Sequence, residues 1–243
     1  MQVEPRSAQP GQVYLVGAGP GDPELLTLRA ARLLATADVI LPDDLVSDAV
    51  LALANPAALI IPVGKRCGQP RITQAGIHAL MLEHAHVGRS VVRLKSGDPL
   101  VFGRANEEME ALRAAQISFE IVPGITTAFA VAASLKTPLT DRNSASKLIL
   151  ATAHHAAGKS EPVAWHGAFP PRSTLVLYMP GRDFAALTRS LLNAGISGET
   201  PVAAVSRAST PNEQVTLTTL AMLPNSQPGP APLLLMIGDA IQI

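Results

Sequence analysis

Short apolar runs, each cut by glycine or proline and followed by a stretch with helical spacing, set the rhythm of the first half of the chain. Residues 13–16 form the first run and stop at Gly17-Ala18-Gly19-Pro20-Gly21-Asp22. A helix is predicted over about 25–36. Residues 39–41 end at Pro42-Asp43-Asp44, and residues 59–63 end at Gly64-Lys65-Arg66. The stretch 74–87 places Ile77, Leu80, Met81 and Ala85 on one helical face, with Gly88 as its C-cap. Residues 91–94 read as an apolar strand broken by Ser96-Gly97-Asp98-Pro99. A helix over 107–115 follows, with acids in its first turn, where the helix dipole favours them. A strand at 119–122, halted by Pro123-Gly124, and an apolar stretch at 125–135 complete the half. Strands alternating with helices at this spacing predict a parallel, largely buried sheet.

Past Thr137-Pro138-Leu139-Thr140-Asp141-Arg142 the texture changes. A strand at 148–152 leads into a long segment, 155–173, rich in Gly, Pro and Ala. After a strand at 175–179, Asp183 caps a helix that runs to 194 and is closed by Gly195. Strands at 201–205, 214–218 and 233–237 follow with few helices between them, which predicts a second domain with a mixed sheet. The expected organisation is a flexible tail over 1–11, an N-terminal α/β domain over 12–124 and a C-terminal α/β domain over 125–243.

Polar and glycine residues gather just after the strand ends: 17–22, Asp43, Lys65, Gly97-Asp98 and Thr126. That edge is where open α/β sheets place ligands. The first loop is not a dinucleotide fingerprint, because GxGxxG needs glycine where Asp22 stands and Pro20 lacks an amide. This counts against a nicotinamide or flavin oxidoreductase. Read by themselves, Asp43-Asp44 would be the N-cap of a helix over 45–53.

Composition narrows the classes. Apolar residues make up 47% of the 243, aromatics only 3% and charged residues 16%, so the core must be aliphatic and rich in alanine. The formal net charge is zero, with no aromatic platform for stacking bases, so nucleic acid is not an expected partner. Cys67 stands alone, which fits a reducing compartment. No apolar run approaches the roughly 18 residues of a membrane span, and 1–11 lacks the apolar centre of a signal peptide. A cytoplasmic protein without membrane contact is expected. His78, His84 and His86 share a helix without the spacing of four that pairs ligands on one face, and adjacent His154-His155 would point apart, so no metal site is expected.

Six motifs in order resemble the tetrapyrrole methylases, most of all the uroporphyrinogen-III C-methyltransferases. They are VGAGPGD at the start, DxLVSD over 43–48, VGKR over 63–66, RLKSGDPLVFGR over 93–104, VPGIT over 122–126 and PLTDR over 138–142. The resemblance covers about 12–240. Precorrin methylases share the glycine loop and the GDP turn, whereas DxLVS together with GKR favours the uroporphyrinogen enzymes. The resemblance implies two α/β domains, the first sheet mainly parallel and the second mixed, with S-adenosyl-L-methionine in the cleft between them, and a homodimer. It implies methylation of uroporphyrinogen III at C2 and C7 to precorrin-2, feeding sirohaem, cobalamin or haem d1 synthesis, with S-adenosyl-L-homocysteine as product. A related precorrin methyltransferase, or a cofactor-binding module of the same fold without turnover, stays open beside it.

Carried over residue by residue, the resemblance assigns Pro20, Ser96, Gly97, Asp98, Val101, Thr126, Thr127, Met179 and Ala208 to the cofactor. It assigns Asp43 as the base, Lys65 as an acid, and Arg104, Glu107 and Arg142 to the tetrapyrrole. The chemistry agrees with such a set. A pyrrole carbon attacks the methyl itself, so the protein must supply alignment and a proton acceptor rather than a nucleophile. A substrate with eight carboxylates calls for guanidinium forks. The chain departs from the family pattern at Pro42 and Asp44, which flank Asp43 where Tyr and Arg are usual, at Ser96 for Gly, and at Asp141 for His.

Overall fold

The structure is a computed structural model and describes residues 7–64, 72–153 and 167–241. Lys65, Arg66, Cys67, His154 and His155 lie outside the described residues. The chain divides into two compact units, one closing at Thr126 and the other opening at Thr127.

The first unit is built on β1 (Val13–Gly17), β2 (Val39–Pro42), β3 (Leu59–Ile60), β4 (Val91–Lys95) and β5 (Phe119–Val122). They lie in the order β3-β2-β4-β1-β5, and every pairing is parallel. Alternation along the strands supplies two apolar faces, as a pleated strand must. Val13, Leu15, Val39, Leu41 and Val91 pack with α3 (Gln74–His86) and α4 (Ala105–Ala114) through Ile77, Met81, Ala85 and Leu112. Tyr14, Val16, Ile40, Val92 and Leu94 pack with α1 (Leu28–Leu34) and α2 (Asp48–Leu51) through Ala30, Leu33, Leu34 and Val50.

The second unit holds β6 (Lys147–Thr152), β7 (Ser173–Tyr178), β8 (Pro201–Ser206), β9 (Gln214–Thr219) and β10 (Leu233–Ile237) in the order β6-β7-β10-β8-β9. Only β6 and β7 run parallel, so the sheet is mixed as the strand-rich pattern implied. One face is covered by α6 (Phe184–Asn193), which Asp183 caps by accepting the Ala186 amide at 2.9 Å. The other face carries α5 (Thr127–Ser134) through Ala128 and Val131.

Three elements differ from the sequence reading. The first helix does not begin near 25: Pro23–Leu25 form a 3₁₀ turn capped by Asp22, and α1 starts only after Thr27, whose hydroxyl accepts the Ala30 amide at 3.1 Å. The strand expected over 59–63 is regular only at Leu59–Ile60, an exposed edge. The Ile61 and Val63 amides still donate to Ile40 O and Pro42 O at 2.9 and 3.1 Å, on either side of Pro62, which has no amide to give. The strand at 91–94 reaches Lys95 and is not wholly apolar, because it buries Arg93 and Lys95. Among the described residues no helix is long and apolar enough to cross a membrane.

Asp38 fastens β2 to β4 just before both strands begin. Its carboxylate accepts the Ser90 amide at 2.8 Å and the Ser90 hydroxyl at 2.7 Å, and its own amide donates back to Ser90 Oγ at 3.0 Å. The Ser90 amide, then its hydroxyl, hold this carboxyl below the usual carboxylate range. A depressed acid stabilises the fold above its unfolded-state value and loses that contribution as pH falls through its folded-state value. Asp38→Ala is therefore expected to lower the melting temperature at neutral pH. The gap from the parent chain should close as pH drops below about 4. A gap that widens in acid would contradict the assignment.

Candidate active site

Three strand ends of the first unit meet at glycines packed backbone to backbone. The Ala18 amide donates to Lys95 O at 2.7 Å, and Gly97 and Gly19 exchange amide-to-carbonyl bonds of 2.8 and 3.2 Å. A Cβ on Gly124 would stand 2.2 Å from Gly97 O and 2.8 Å from Gly17 Cα, so no side chain fits there. Asp98 locks the assembly: its Oδ2 accepts the Gly124 amide at 3.0 Å and its Oδ1 the Leu100 amide at 2.8 Å. The Asp98 side chain is thus occupied in holding the β4 turn to the β5 turn. Val101 is folded onto the same turn, its amide 3.2 Å from Asp98 O. Gly97 has φ +67°, and the nearest atom to where its Cβ would stand is Thr126 Cα at 3.9 Å. Gly97 is itself buried, yet the turn leaves room there for a carbon, beside Pro20, Ser96 and the buried Thr126.

Thr127, Met179 and Ala208 belong to the second unit, where Ala208 and the chain neighbours of the other two share one cluster. The amide of Ala128, beside Thr127, donates to the Tyr178 hydroxyl at 3.1 Å, which ties the start of α5 to the residue before Met179. Ala208 shares an apolar cluster with Ala128, and Tyr178 packs against that cluster. Met179 has φ +49°, and Ala208 is flanked by Arg207 and Ser209 at +51° and +57°. With Phe102 and Arg104 at +52° and +56°, much of the left-handed non-glycine backbone falls on these loops. Such strain is a mark of sites held in shape by their surroundings.

Asp43 is not a helix cap. Ser47 caps α2 instead, accepting the Val50 amide at 3.3 Å, and its hydroxyl donates to Gly21 O at 2.6 Å, which anchors the first glycine loop. The Asp43 amide bonds Leu94 O at 2.9 Å, so the residue sits beside the end of β4, on the sheet edge that carries the Ser96-Gly97-Asp98 turn. Its Oδ1 accepts from the Arg93 guanidinium. The carboxylate is about one-third exposed, at 32%, and borders a recess of about 90 Å³ with Pro42, Asp44 and Gly64. Among the described residues Oδ2 has no hydrogen-bond donor.

Behind Asp43 lies a charge cluster that the sequence reading missed. Arg93, Lys95 and Glu108 are 2%, 1% and 0% exposed. Arg93 Nε donates to Glu108 Oε1 at 2.9 Å, and Lys95 Nζ lies 3.0 and 2.9 Å from the two Glu108 oxygens. Burial, and next the neighbouring Arg93 charge, draw the Lys95 ammonium below its ordinary range, against the pull of Glu108. The signal was present as two cations two residues apart in a strand otherwise expected to be buried on both faces, with an acid on the following helix.

Arg104 and Glu107 form a two-pronged pair, Nε to Oε1 and Nη2 to Oε2 both at 2.7 Å, with side chains 53% and 45% exposed. The Arg104 fork, which the resemblance assigns to the tetrapyrrole, is engaged by Glu107 here, and this bond holds the Glu107 carboxyl below the usual range. Arg142 is exposed in the second unit, beside a shallow recess of about 240 Å³ with Thr140, Asp141, Ala145 and Ser146. Asp141 spends its Oδ1 on the Asn143 and Ser144 amides, each 2.8 Å away, and on the Ser144 hydroxyl at 2.9 Å. Replacing it would therefore loosen its own turn.

The family model for Tetrapyrrole (Corrin/Porphyrin) Methylases matches residues 12–224. The chain belongs to the tetrapyrrole methylase family. Among curated proteins this methylase is 46% identical over 231 residues to the uroporphyrinogen-III C-methyltransferase of Paracoccus denitrificans (strain Pd 1222), covering 94% of this chain and 80% of that protein. It is 43% identical over 246 residues to the siroheme synthase of Psychrobacter sp. (strain PRwf-1), covering 100% of this chain but 50% of the relative. It thus spans about half the length of that synthase. Among solved structures, the methylase fold superposes on uroporphyrin-III C-methyl transferase from Thermus thermophilus complexed with S-adenyl homocysteine. The TM-score is 0.78 at 38% identity, with 95% and 93% of the two chains covered.

Proposed function

We propose that this methylase transfers methyl groups from S-adenosyl-L-methionine to C2 and C7 of uroporphyrinogen III, giving precorrin-2 for sirohaem, cobalamin or haem d1 synthesis. The observation that carries the reading is the juxtaposition, on one sheet edge, of a glycine turn with room at Gly97 and the Asp43 carboxylate, one of whose oxygens has no donor among the described residues. The turn suits a ligand bound through backbone groups rather than phosphates, and Gly97 leaves clear the space a Cβ would fill. Pro20, Ser96, Gly97, Asp98, Val101 and Thr126 are the proposed contacts in the first unit, and Thr127, Met179 and Ala208 those in the second. The cofactor supplies an electrophilic methyl on a sulfonium.

In this reading the chain's own residues align the reactants and move one proton. Asp43 accepts, at Oδ2, the proton lost from the macrocycle after the pyrrole carbon has attacked. Lys65 is the proposed acid by resemblance. Arg104 and Arg142 are proposed to receive the acetate and propionate arms, with Glu107 beside them holding the Arg104 fork. Arg104→Lys keeps the charge but loses the fork. It is expected to raise KM for uroporphyrinogen III about tenfold, on the order of 1.4 kcal/mol, with S-adenosylmethionine affinity unchanged. Equal KM values would remove Arg104 from the substrate site. A cytoplasmic homodimer completes the proposal, supported by the lone cysteine and by the family resemblance.

The test of the function is stoichiometric. Incubated with S-adenosylmethionine and freshly reduced uroporphyrinogen III, the protein should release two S-adenosylhomocysteines per macrocycle consumed. Release that does not depend on uroporphyrinogen III, or no release, would overturn the reading.

A further inference from the structure

We propose that Arg93 is the positioning residue of the active site: from inside the sheet it orients Asp43, while Glu108 and Lys95 hold Arg93 in place. The inference rests on the reading of Asp43 as the base and says how the fold aims it.

The guanidinium is bonded on every side. Its Nε meets Glu108 Oε1 at 2.9 Å, and its Nη1 meets the carbonyls of Leu41 at 3.0 Å and Leu94 at 3.3 Å. Its Nη2 meets Asp43 Oδ1. Carbonyls of two neighbouring strands thus set the plane of a rigid fork, and the fork sets one oxygen of Asp43. The other oxygen, without a donor among the described residues, is left for a proton. Lys95 Nζ donates to Glu108 Oε1 at 3.0 Å and lies 2.9 Å from Oε2, which has no hydrogen-bond donor of its own among the described residues, so the ion pair holds that carboxylate toward Arg93. Gln74 Nε2 adds a longer contact of 3.5 Å to the same Oε1.

A purely structural cluster would not need this form. Buried ion pairs are costly to desolvate, and apolar residues of like volume often replace them without loss. Here two cations and one anion are sealed inside, and the fourth charge, which brings the formal sum to zero, is the partly exposed carboxylate of Asp43. Its charge balance is thus completed at the recess rather than in the core. Lysine at 93 would carry the charge but could not hold Glu108, two carbonyls and Asp43 at once.

The test is a double-mutant cycle on the whole chain, with uroporphyrinogen III as substrate. Arg93→Lys is expected to lower kcat at least about tenfold while the S-adenosylhomocysteine Kd stays within about twofold. In an Asp43→Asn background the same change should cost less than about twofold more, because a base already lost cannot be misaimed. Wild-type kcat in a folded Arg93→Lys protein would overturn the inference. So would a full additive loss in the Asp43→Asn background, or a parallel loss of cofactor affinity. If Arg93→Lys does not fold, Glu108→Gln keeps the shape and weakens the hold on Arg93. It should show a smaller fall in kcat, equally absent from the Asp43→Asn background, and an unchanged kcat would overturn the inference. The two readings fail separately. Normal turnover by Asp43→Asn sinks the base itself, whereas an impaired Asp43→Asn beside an unaffected Arg93→Lys sinks only the positioning role.

Discussion

Asp43→Asn is expected to bind S-adenosylhomocysteine as the parent chain does and to turn over roughly 10²–10⁴-fold more slowly. The substitution keeps the side chain's shape and an oxygen for Arg93 to donate to, so the loop after β2 should stay where the Asp43 amide and Leu94 O fix it. Arg93 would still be paired with Glu108 and bonded to Leu41 O, so the fold should survive. What disappears is the basicity of the oxygen that Arg93 does not hold. Single-turnover methyl transfer at saturating cofactor checks this directly. A rate within two- or threefold of the parent would mean that the proton leaves by another route.

The second large effect is expected at Gly124, where one added methyl should cost more cofactor affinity than a substitution in the contact turn itself. On Gly124 a Cβ would lie 2.2 Å from Gly97 O, and that oxygen belongs to backbone already bonded to Gly19. The turns after β1, β4 and β5 would have to separate, and the Asp98–Gly124 bond would be pulled apart. Calorimetry on folded Gly124→Ala should show S-adenosylhomocysteine affinity lower by at least about tenfold, or 1.4 kcal/mol, together with a lower melting temperature. Gly97→Ala poses a different problem. Its Cβ meets nothing nearer than 3.9 Å, so its cost is the left-handed φ of +67°, about 1–2 kcal/mol of strain. Normal binding by folded Gly124→Ala would mean that the meeting of these turns does not shape the site.

Much of this was legible because the chain follows periodic rules. Strands at 119–122 and 201–205 and the helix capped by Asp183 could be placed from alternation, from punctuation and from one capping residue. The parallel first sheet followed from strands separated by helices. Boundaries failed where a local competitor prevailed: Thr27 outbid the earlier residues as the cap of α1, and Ser47 took the capping role that Asp43 seemed suited for. Edge position and the missing amide of Pro62 leave only two residues of β3 regular, though Ile61 and Val63 still bond β2. The motifs pointed to Gly97 and Asp43, but not to how Asp98 uses its carboxylate, since both its bonds go to amides fixed by tertiary structure. Arg93, Lys95 and Glu108 escaped for a related reason. Hydropathy reads a charge as exposed, and only the packing of α4 on β4 reveals that these three pair inside, with Asp43 supplying the second negative charge.

The product itself tests the central claim most directly. With S-adenosylmethionine carrying a deuterated methyl, mass spectrometry of the tetrapyrrole formed from uroporphyrinogen III should show the gain of two labelled methyl groups, and mild alkaline hydrolysis should remove neither, because both are bonded to carbon. An unlabelled macrocycle, or label released by hydrolysis as from a methyl ester, would contradict the account.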